Sequence, residues 1–280
     1  LVANTEKPAC LPLLHDAVRL LAQVGIEVAA DAPTLRAFPL PIPSHRNTAS
    51  LATAVDLLLV LGGDGTILRV AREIAGNSTP LLGIHVGRLG FLADVTVAQL
   101  PQAIQQIAHG DYSIESRPLM QAVPPRRRQP LRALNDFVFT RGEVSRMIEL
   151  EVEVDGEPLT LYRCDGLIVS SATGSTAYSL AAGGAIVSPR AHVFTLTPIC
   201  PLTLSNRSVI IDLDATVLVR VRTGKLATHL TADGQVAIQL RLGDETIIRR
   251  SPDDVRLLRL TGRSFFETLR QKLHWSGSHA

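Results

Sequence analysis

The alternation of apolar and polar positions changes character near residue 115. Before that point, helical and strand patterns take turns. Leu13, Leu14, Ala17, Val18, Leu20 and Leu21 recur at helical spacing, and Gly25 ends the run. Ile26–Val28 is expected as a short strand. Residues 38–43 (FPLPIP) break helix and central strand alike and read as an extended linker or exposed loop. Val55–Leu61 is a continuous apolar run, as in a strand covered on both faces. A glycine-rich turn follows, then a helical stretch from Ile67 to Ile74. Leu81–Val86 is a second apolar strand, and Leu100–Ala108 a helix with Pro101 in its first turn. This order predicts a parallel sheet with helices on its faces.

Beyond residue 115 the period drops to two. Ile148, Leu150, Val152 and Val154 share one face of a strand, with Glu149, Glu151 and Glu153 on the other. Asp155-Gly156 and Asp233-Gly234 are hairpin-turn signals. Leu167–Ser170, Val193–Leu196, Val209–Leu213 and Thr216–Val221 add further short strands, so an all-β, sandwich-like second domain is expected. Val255–Leu260 reads as a strand and Phe265–Leu273 as a helix that returns to the first domain. The expected organisation is an α/β domain over 1–115, joined by 255–280, and a β-rich domain over 116–254. Leu1-Val-Ala3 is read as the remnant of a first strand cut short.

Composition narrows the function. In 280 residues, 46% are hydrophobic and 19% charged, which excludes disorder. A net charge of +2 is too balanced for a nucleic-acid binder driven by a basic field. Aromatic content of 4% supplies no stacking platform for single strands. Cys10, Cys164 and Cys200 are odd in number and far apart, which argues against a disulfide framework or zinc site and for a reducing, cytoplasmic compartment. No apolar run reaches the roughly 18 residues needed to span a membrane. Arg126-Arg127-Arg128, the one basic cluster, reads as a solvated loop, with an acidic ligand as the alternative.

Three motifs carry chemistry. Gly62-Gly63-Asp64-Gly65-Thr66 sits between an apolar strand and a helix. Its glycines let backbone approach a ligand, and the helix start suits phosphate. It is neither GxxxxGK[ST] nor GxGxxG. A carboxylate there repels phosphate unless it faces a hydroxyl or a metal, so Asp64 either acts on a substrate or caps the helix. The second motif runs from Asp165-Gly166 through Ser170-Ser171-Ala172-Thr173-Gly174-Ser175-Thr176-Ala177-Tyr178-Ser179-Leu180-Ala181-Ala182-Gly183-Gly184. Its small and hydroxyl residues fit either a flat polar ligand or close helix–sheet packing. The third is Asn135-Asp136 before Phe137-Val-Phe, able to bond a sugar diol or to make a turn.

Taken together, these motifs resemble the NAD kinases, which phosphorylate NAD to NADP with ATP. The GGDGT motif also occurs in diacylglycerol-type lipid kinases and sphingosine kinases, and in related form in phosphofructokinases. The NAD kinase branch is selected by Gly83-Ile-His-Val-Gly-Arg-Leu-Gly-Phe-Leu92, by Asn135-Asp136, and by Tyr162-Arg-Cys-Asp-Gly-Leu-Ile-Val-Ser170 running into Thr173–Leu180. Leu202-Thr-Leu-Ser-Asn-Arg207 and Asp233-Gly-Gln235 follow in order. The similarity covers the whole chain and is greatest to bacterial members. His85 stands where the family usually has Asn, and Asp136 is the shorter variant of its Asn-Glu/Asp pair.

The resemblance implies a Rossmann-like parallel sheet in the first domain and transfer of the ATP γ-phosphoryl to the 2′-hydroxyl of the adenosine ribose of NAD. Asp64 would be the base, with Gly62, Gly63, Gly65 and Thr66 at the phosphates. Mg²⁺ or another divalent cation would arrive with ATP, and no protein metal ligand is expected. Asn135 and Asp136 would hold the dinucleotide. Thr176, Ala177 and Tyr178 would line its base pockets, with Thr173, Ser179, Leu180 and Ala181 beside them, and Asp165 would contact the nicotinamide side. Phe91, Arg146, Arg163 and Gln235 would be further contacts. Arg69 could reach phosphate or stay an exposed helix arginine. A homodimer or homotetramer would complete the site across a subunit interface. Two other readings are a kinase of lipid alcohols, which would need an apolar or basic amphipathic helix, and a nucleotide-binding regulator without turnover.

Overall fold

A computed structural model describes the chain apart from residues 88, 89, 94, 143–145, 204, 225, 226, 263 and 276–280. The chain forms two compact units, Leu1–Ser116 with Val255–Ala280, and Arg117–Asp254. It leaves the first unit within the strand Tyr112–Val123 and rejoins it within the strand Glu245–Leu260.

In the first unit the strands Val2–Ala3, Leu58–Gly62 and Leu81–His85 run parallel, Val2 opposite Val60 and Leu58 opposite Leu81. Leu257 continues the parallel order beside Leu81. Every residue of the two longer strands is buried, which is why their sequence is an unbroken apolar run. The helix Cys10–Gln23 buries Cys10, Leu13, Leu14, Ala17 and Leu21 along one stripe. The helix Leu100–His109 buries Leu100, Ala103 and Ile104 and stops at left-handed Gly110. These side chains form one core with Leu59, Leu61, Leu82, Ile84, Leu258 and Leu260. The helix Phe265–Leu273 belongs to this unit and buries Leu269. The strand expected over Ile26–Val28 is not there. Ile26 and Val28 pack on the core without strand partners, Glu27 is exposed, and pairing begins at Ala30 opposite Ser44.

The second unit is antiparallel. One sheet has the order Val209–Asp212, Val193–Ile199, Gly166–Ser171, Asp136–Arg141, Thr228–Ala232, Val236–Leu240. In the other, Ile148–Val154 lies between Glu157–Cys164 and Val217–Val221, which in turn pairs with Glu245–Ile248. Phe137, Phe139, Val169 and Leu196 from the first sheet and Ile148, Leu150, Val219 and Ile248 from the second share one apolar core, so the unit is a β-sandwich. Asp155-Gly156 and Asp233-Gly234 turn their hairpins with positive φ at both residues (53° and 84°; 49° and 64°).

Candidate active site

In the first unit the site is built where parallel strands end, the usual place for a ligand in an open α/β sheet. The helix Asp64–Glu73 starts three residues earlier than the apolar pattern suggests, because Gly63 is its N-cap and its carbonyl accepts from Thr66 N and Ile67 N at 2.9 and 3.3 Å. Asp64 therefore lies in the first turn and does not cap it. Its carboxylate reaches instead to the second glycine loop, where Oδ2 accepts the Phe91 N–H at 2.8 Å and Oδ1 the Leu92 N–H at 3.3 Å. A Cβ on Gly90 would stand 1.8 Å from Asp64 Oδ1, so only glycine admits this contact. A Cβ on Gly62 would stand 2.4 Å from Thr66 Oγ1. The Thr66 hydroxyl is buried and accepts from Asn4 Nδ2 at 3.3 Å.

Two lysines and a histidine lie near the second glycine loop. Lys7 Nζ donates to Val86 O at 2.9 Å. Lys272 Nζ lies 5.9 Å from the centre of the half-buried Phe91 ring. His85 is buried, and burial lowers its pKa below the ordinary imidazole value. Its Nδ1 has no hydrogen-bond partner among the described residues. Gly65 is exposed, and Arg69 Nη1 bonds both Glu73 oxygens at 3.0 Å, one turn further along the helix.

In the second unit Asn135 and Asp136 open the strand Asp136–Arg141. Asp233, from the second hairpin turn, accepts the backbone N–H groups of Leu134, Asn135 and Asp136 at 3.1, 2.8 and 3.3 Å. Its own N–H donates to Asp136 O. Asp136 is only 4% exposed. Burial, and secondarily the charge of Asp233, push its pKa up to about 7. Gln235 is exposed in the same turn.

The hydroxyl-rich stretch forms a 3-10 turn, Thr173–Thr176, and a short helix, Tyr178–Ala181. Many of its hydroxyls serve the fold. Ser171 Oγ donates to Leu134 O at 2.6 Å, and Ser175 Oγ to Ala172 O at 2.8 Å. Thr173 Oγ1 accepts from Arg117, and Ser179 Oγ bonds Thr197 Oγ1. Thr176, Ala177 and Leu180 are half-buried, while Tyr178 and Ala181 are exposed. Asp165 pairs with Arg141 at 2.9 Å and Arg163 with Glu149 at 2.9 Å, while Arg146 is exposed. Cys164 is buried, and burial raises its thiol to about 12, so it is inert packing. Among the described residues no three His, Cys, Asp or Glu side chains gather as a metal-binding group.

Residues 1–112 match the ATP-NAD kinase N-terminal domain, and residues 134–260 the ATP-NAD kinase C-terminal domain. The chain is 37% identical over 276 residues to the NAD kinase of Syntrophotalea carbinolica, covering 98% of this chain and 96% of that one. It is 41% identical over 280 residues to the NAD kinase of Moorella thermoacetica, covering 99% and 89%.

The chain belongs to the NAD kinase family.

Solved folds agree with that membership. Yeast NADH kinase complexed with NADH superposes with a TM-score of 0.87 at 24% identity, over 100% of this chain and 88% of that one. An NAD kinase from Archaeoglobus fulgidus in complex with ATP gives 0.76 at 23%, over 94% and 95%. At these identities the likeness speaks for the fold alone. In the second glycine loop of this NAD kinase family member, Arg88 and Leu89 lie outside the described residues, as does Leu204 of Leu202–Arg207. The sequence motifs mark Asp64, Asn135 and Asp136. They do not reveal that Asp233 holds the Asn135-Asp136 backbone from 98 residues away in sequence, since its Asp-Gly pair reads as a turn alone.

Proposed function

We propose that this chain transfers the γ-phosphoryl group of ATP to the 2′-hydroxyl of the adenosine ribose of NAD, giving NADP and ADP. The observation that carries the reading is the Asp64 carboxylate, fixed by two backbone amides beside a glycine loop at a helix start. Each carboxylate oxygen has room for about two hydrogen bonds, so one amide on each leaves it free to accept a hydroxyl proton. In the transfer the hydroxyl O–H breaks as its oxygen bonds the γ-phosphorus. The bond from that phosphorus to the bridging oxygen breaks, and ADP leaves. The proton passes to Asp64. Because such a transition state is loose, most of the catalysis is positioning and charge neutralisation. A carboxylate is a much weaker base than the alkoxide it would form, so it orients the alcohol and takes its proton late, as the new bond forms.

Gly62, Gly63, Gly65 and Thr66 are the proposed phosphate side. Asn135 and the buried Asp136 are proposed to bond the sugar and base of the dinucleotide, with Thr176, Ala177, Tyr178, Leu180 and Ala181 lining its rings. Asp165, Arg163, Arg146, Gln235, Phe91, Arg69 and the backbone of Thr173 and Ser179 are proposed as further contacts. Mg²⁺ or another divalent cation enters on the ATP, held by phosphate oxygens and water. A homodimer or homotetramer in the cytoplasm, its site completed by a second subunit, is the proposed working form. No helix among the described residues is long and apolar enough to cross a membrane.

The test incubates purified protein with ATP, Mg²⁺ and NAD and reads NADP with an NADP-specific dehydrogenase. NADH and inorganic polyphosphate serve as alternative acceptor and donor, since the similar yeast fold is an NADH kinase. NADP formation that Asp64→Asn abolishes, with NAD binding retained, supports the reading. No product from folded protein with any of these pairs overturns it and moves the search to lipid alcohols.

A further inference from the structure

Lys7 belongs to none of the motifs, yet the fold places it over both glycine loops. The turn after the first strand is pinned by Asn4, whose N–H donates to Leu61 O at 2.8 Å and whose side chain bonds Thr66. From that turn the half-buried Lys7 reaches Val86 O. A Cβ on Gly63 would stand 3.8 Å from Lys7 Nζ, the one described atom within 4 Å outside its chain neighbours Gly62 and Asp64. A Cβ on Gly87 would also stand 3.8 Å from Lys7 Nζ, and 3.9 Å from His85 Cε1. Among the described residues beyond each glycine's chain neighbours, the Lys7 ammonium borders both positions, joined at Gly87 by His85 Cε1. That ammonium has three donors, and Val86 O is its one hydrogen-bond partner among the described residues. Beside it His85 is buried, at 6% exposure, with Nδ1 lacking any partner among the described residues. A buried polar atom left so is costly unless a ligand supplies its bond.

We propose that Lys7 binds phosphate oxyanions drawn up to Gly63 and Gly87, with the His85 imidazole supplying a second polar contact. The proposal rests on the phosphoryl-transfer reading of the same loop. It adds a cation to a glycine loop that carries a carboxylate. The oxyanions can belong to the donor triphosphate or to the dinucleotide pyrophosphate, and kinetics separates the two.

Lys7→Met and Lys7→Arg are compared with wild type in the NADP assay, varying ATP and NAD separately. Binding of inorganic tripolyphosphate is measured by calorimetry, and folding by thermal melting. In Lys7→Met, KM for ATP is expected to rise about tenfold or more, the size of a lost charge-assisted hydrogen bond, with tripolyphosphate weakened alike. Lys7→Arg should restore most of both, which a merely structural role for the side chain would not explain. A rise in KM for NAD instead assigns the ammonium to the pyrophosphate. Unchanged KM values with unchanged tripolyphosphate affinity in Lys7→Met overturn the proposal even if the enzyme makes NADP. If wild type makes no NADP but binds tripolyphosphate through Lys7, the phosphate site stands and the kinase reading falls.

Discussion

Asp64 and Asp136 are carboxylates at strand ends in separate units, and the chain treats them in opposite ways. Asp64 is half-buried and held by two backbone amides. Asp136 is buried, and no described group donates to its carboxyl. Donors are not scarce around Asp136. Three backbone amides lie close by, and all three go to Asp233. Asp233 thus shapes the turn while Asp136 is left uncompensated. A carboxylate oriented by amides is aimed, as a proton acceptor must be. One left bare in a buried place destabilises the free protein and gains most from hydroxyl or amide donors on a ligand.

The largest expected effect breaks the first half of this comparison. Asp64→Asn keeps the shape but removes the proton acceptor, and should lower kcat about a thousandfold while NAD binding changes little. Single-turnover NADP formation together with calorimetric NAD binding reads both quantities. A variant that retains near-normal turnover would remove Asp64 from the proton transfer. Next in size is Gly90→Ala. Its Cβ collides with the carboxylate, at 1.8 Å from Oδ1, and must push Asp64 off its amides. A displacement of about an ångström costs on the order of a hundredfold in rate. The melting temperature should move little, because Gly90 lies in a loop. If rate and melting fall together, the glycine is needed for folding rather than for aiming the base.

The other half of the comparison is sharpened by pH. Asp136 has a folded-state pKa of about 7 against 3.8 as the ordinary value. Between these values the native state keeps a proton that the unfolded chain has lost, so stability falls as pH rises through that window. The stabilisation is full below the lower value and gone above the upper one. The span corresponds to about 4 kcal/mol at roughly 1.4 kcal/mol per pH unit. Asp136→Asn, which cannot ionise, should match wild type at about pH 4 and exceed it at about pH 8 in urea unfolding. The same variant should raise KM for NAD about tenfold through the lost acceptor. Identical unfolding midpoints for the two proteins at both pH values would mean that the carboxyl is already compensated in the free protein.

What the sequence let one read follows the same division. The strands Leu58–Gly62 and Leu81–His85 are legible because both faces are buried, so the apolar run is unbroken. Tyr112–Val123 is not, because Arg117 and Gln121 are buried among its apolar residues and Pro118 interrupts them. Arg117 is bonded to Thr173, 56 residues away, a partner no local pattern announces. The pairing of Ala30–Asp31 hid in the same way, since Asp31 is buried by accepting from Thr48 and Thr34. In the candidate site, Asp64 and Asn135-Asp136 stand in recognisable motifs. Lys7 and the amide-binding role of Asp233 depend on long-range geometry and carry no motif of their own.

The smallest expected effect separates ligand-facing residues from supporting ones within the hydroxyl-rich stretch. Tyr178 and Ser179 are neighbours, yet Tyr178 is 45% exposed and Ser179 fully buried. Ser179 Oγ lies 3.0 Å from Thr197 Oγ1, which lies 2.8 Å from Ser208 Oγ. Removing the first hydroxyl leaves Thr197 with Ser208, so no buried group is orphaned. Ser179→Ala should therefore destabilise by only about 1 kcal/mol and leave KM for NAD within about twofold. Tyr178→Ala, by contrast, removes a surface ring proposed to stack on the dinucleotide, and should raise KM with stability unchanged. If Ser179→Ala raised KM as far as Tyr178→Ala, the hydroxyl would be reaching the ligand, and the chain through Thr197 and Ser208 would have to open when NAD binds.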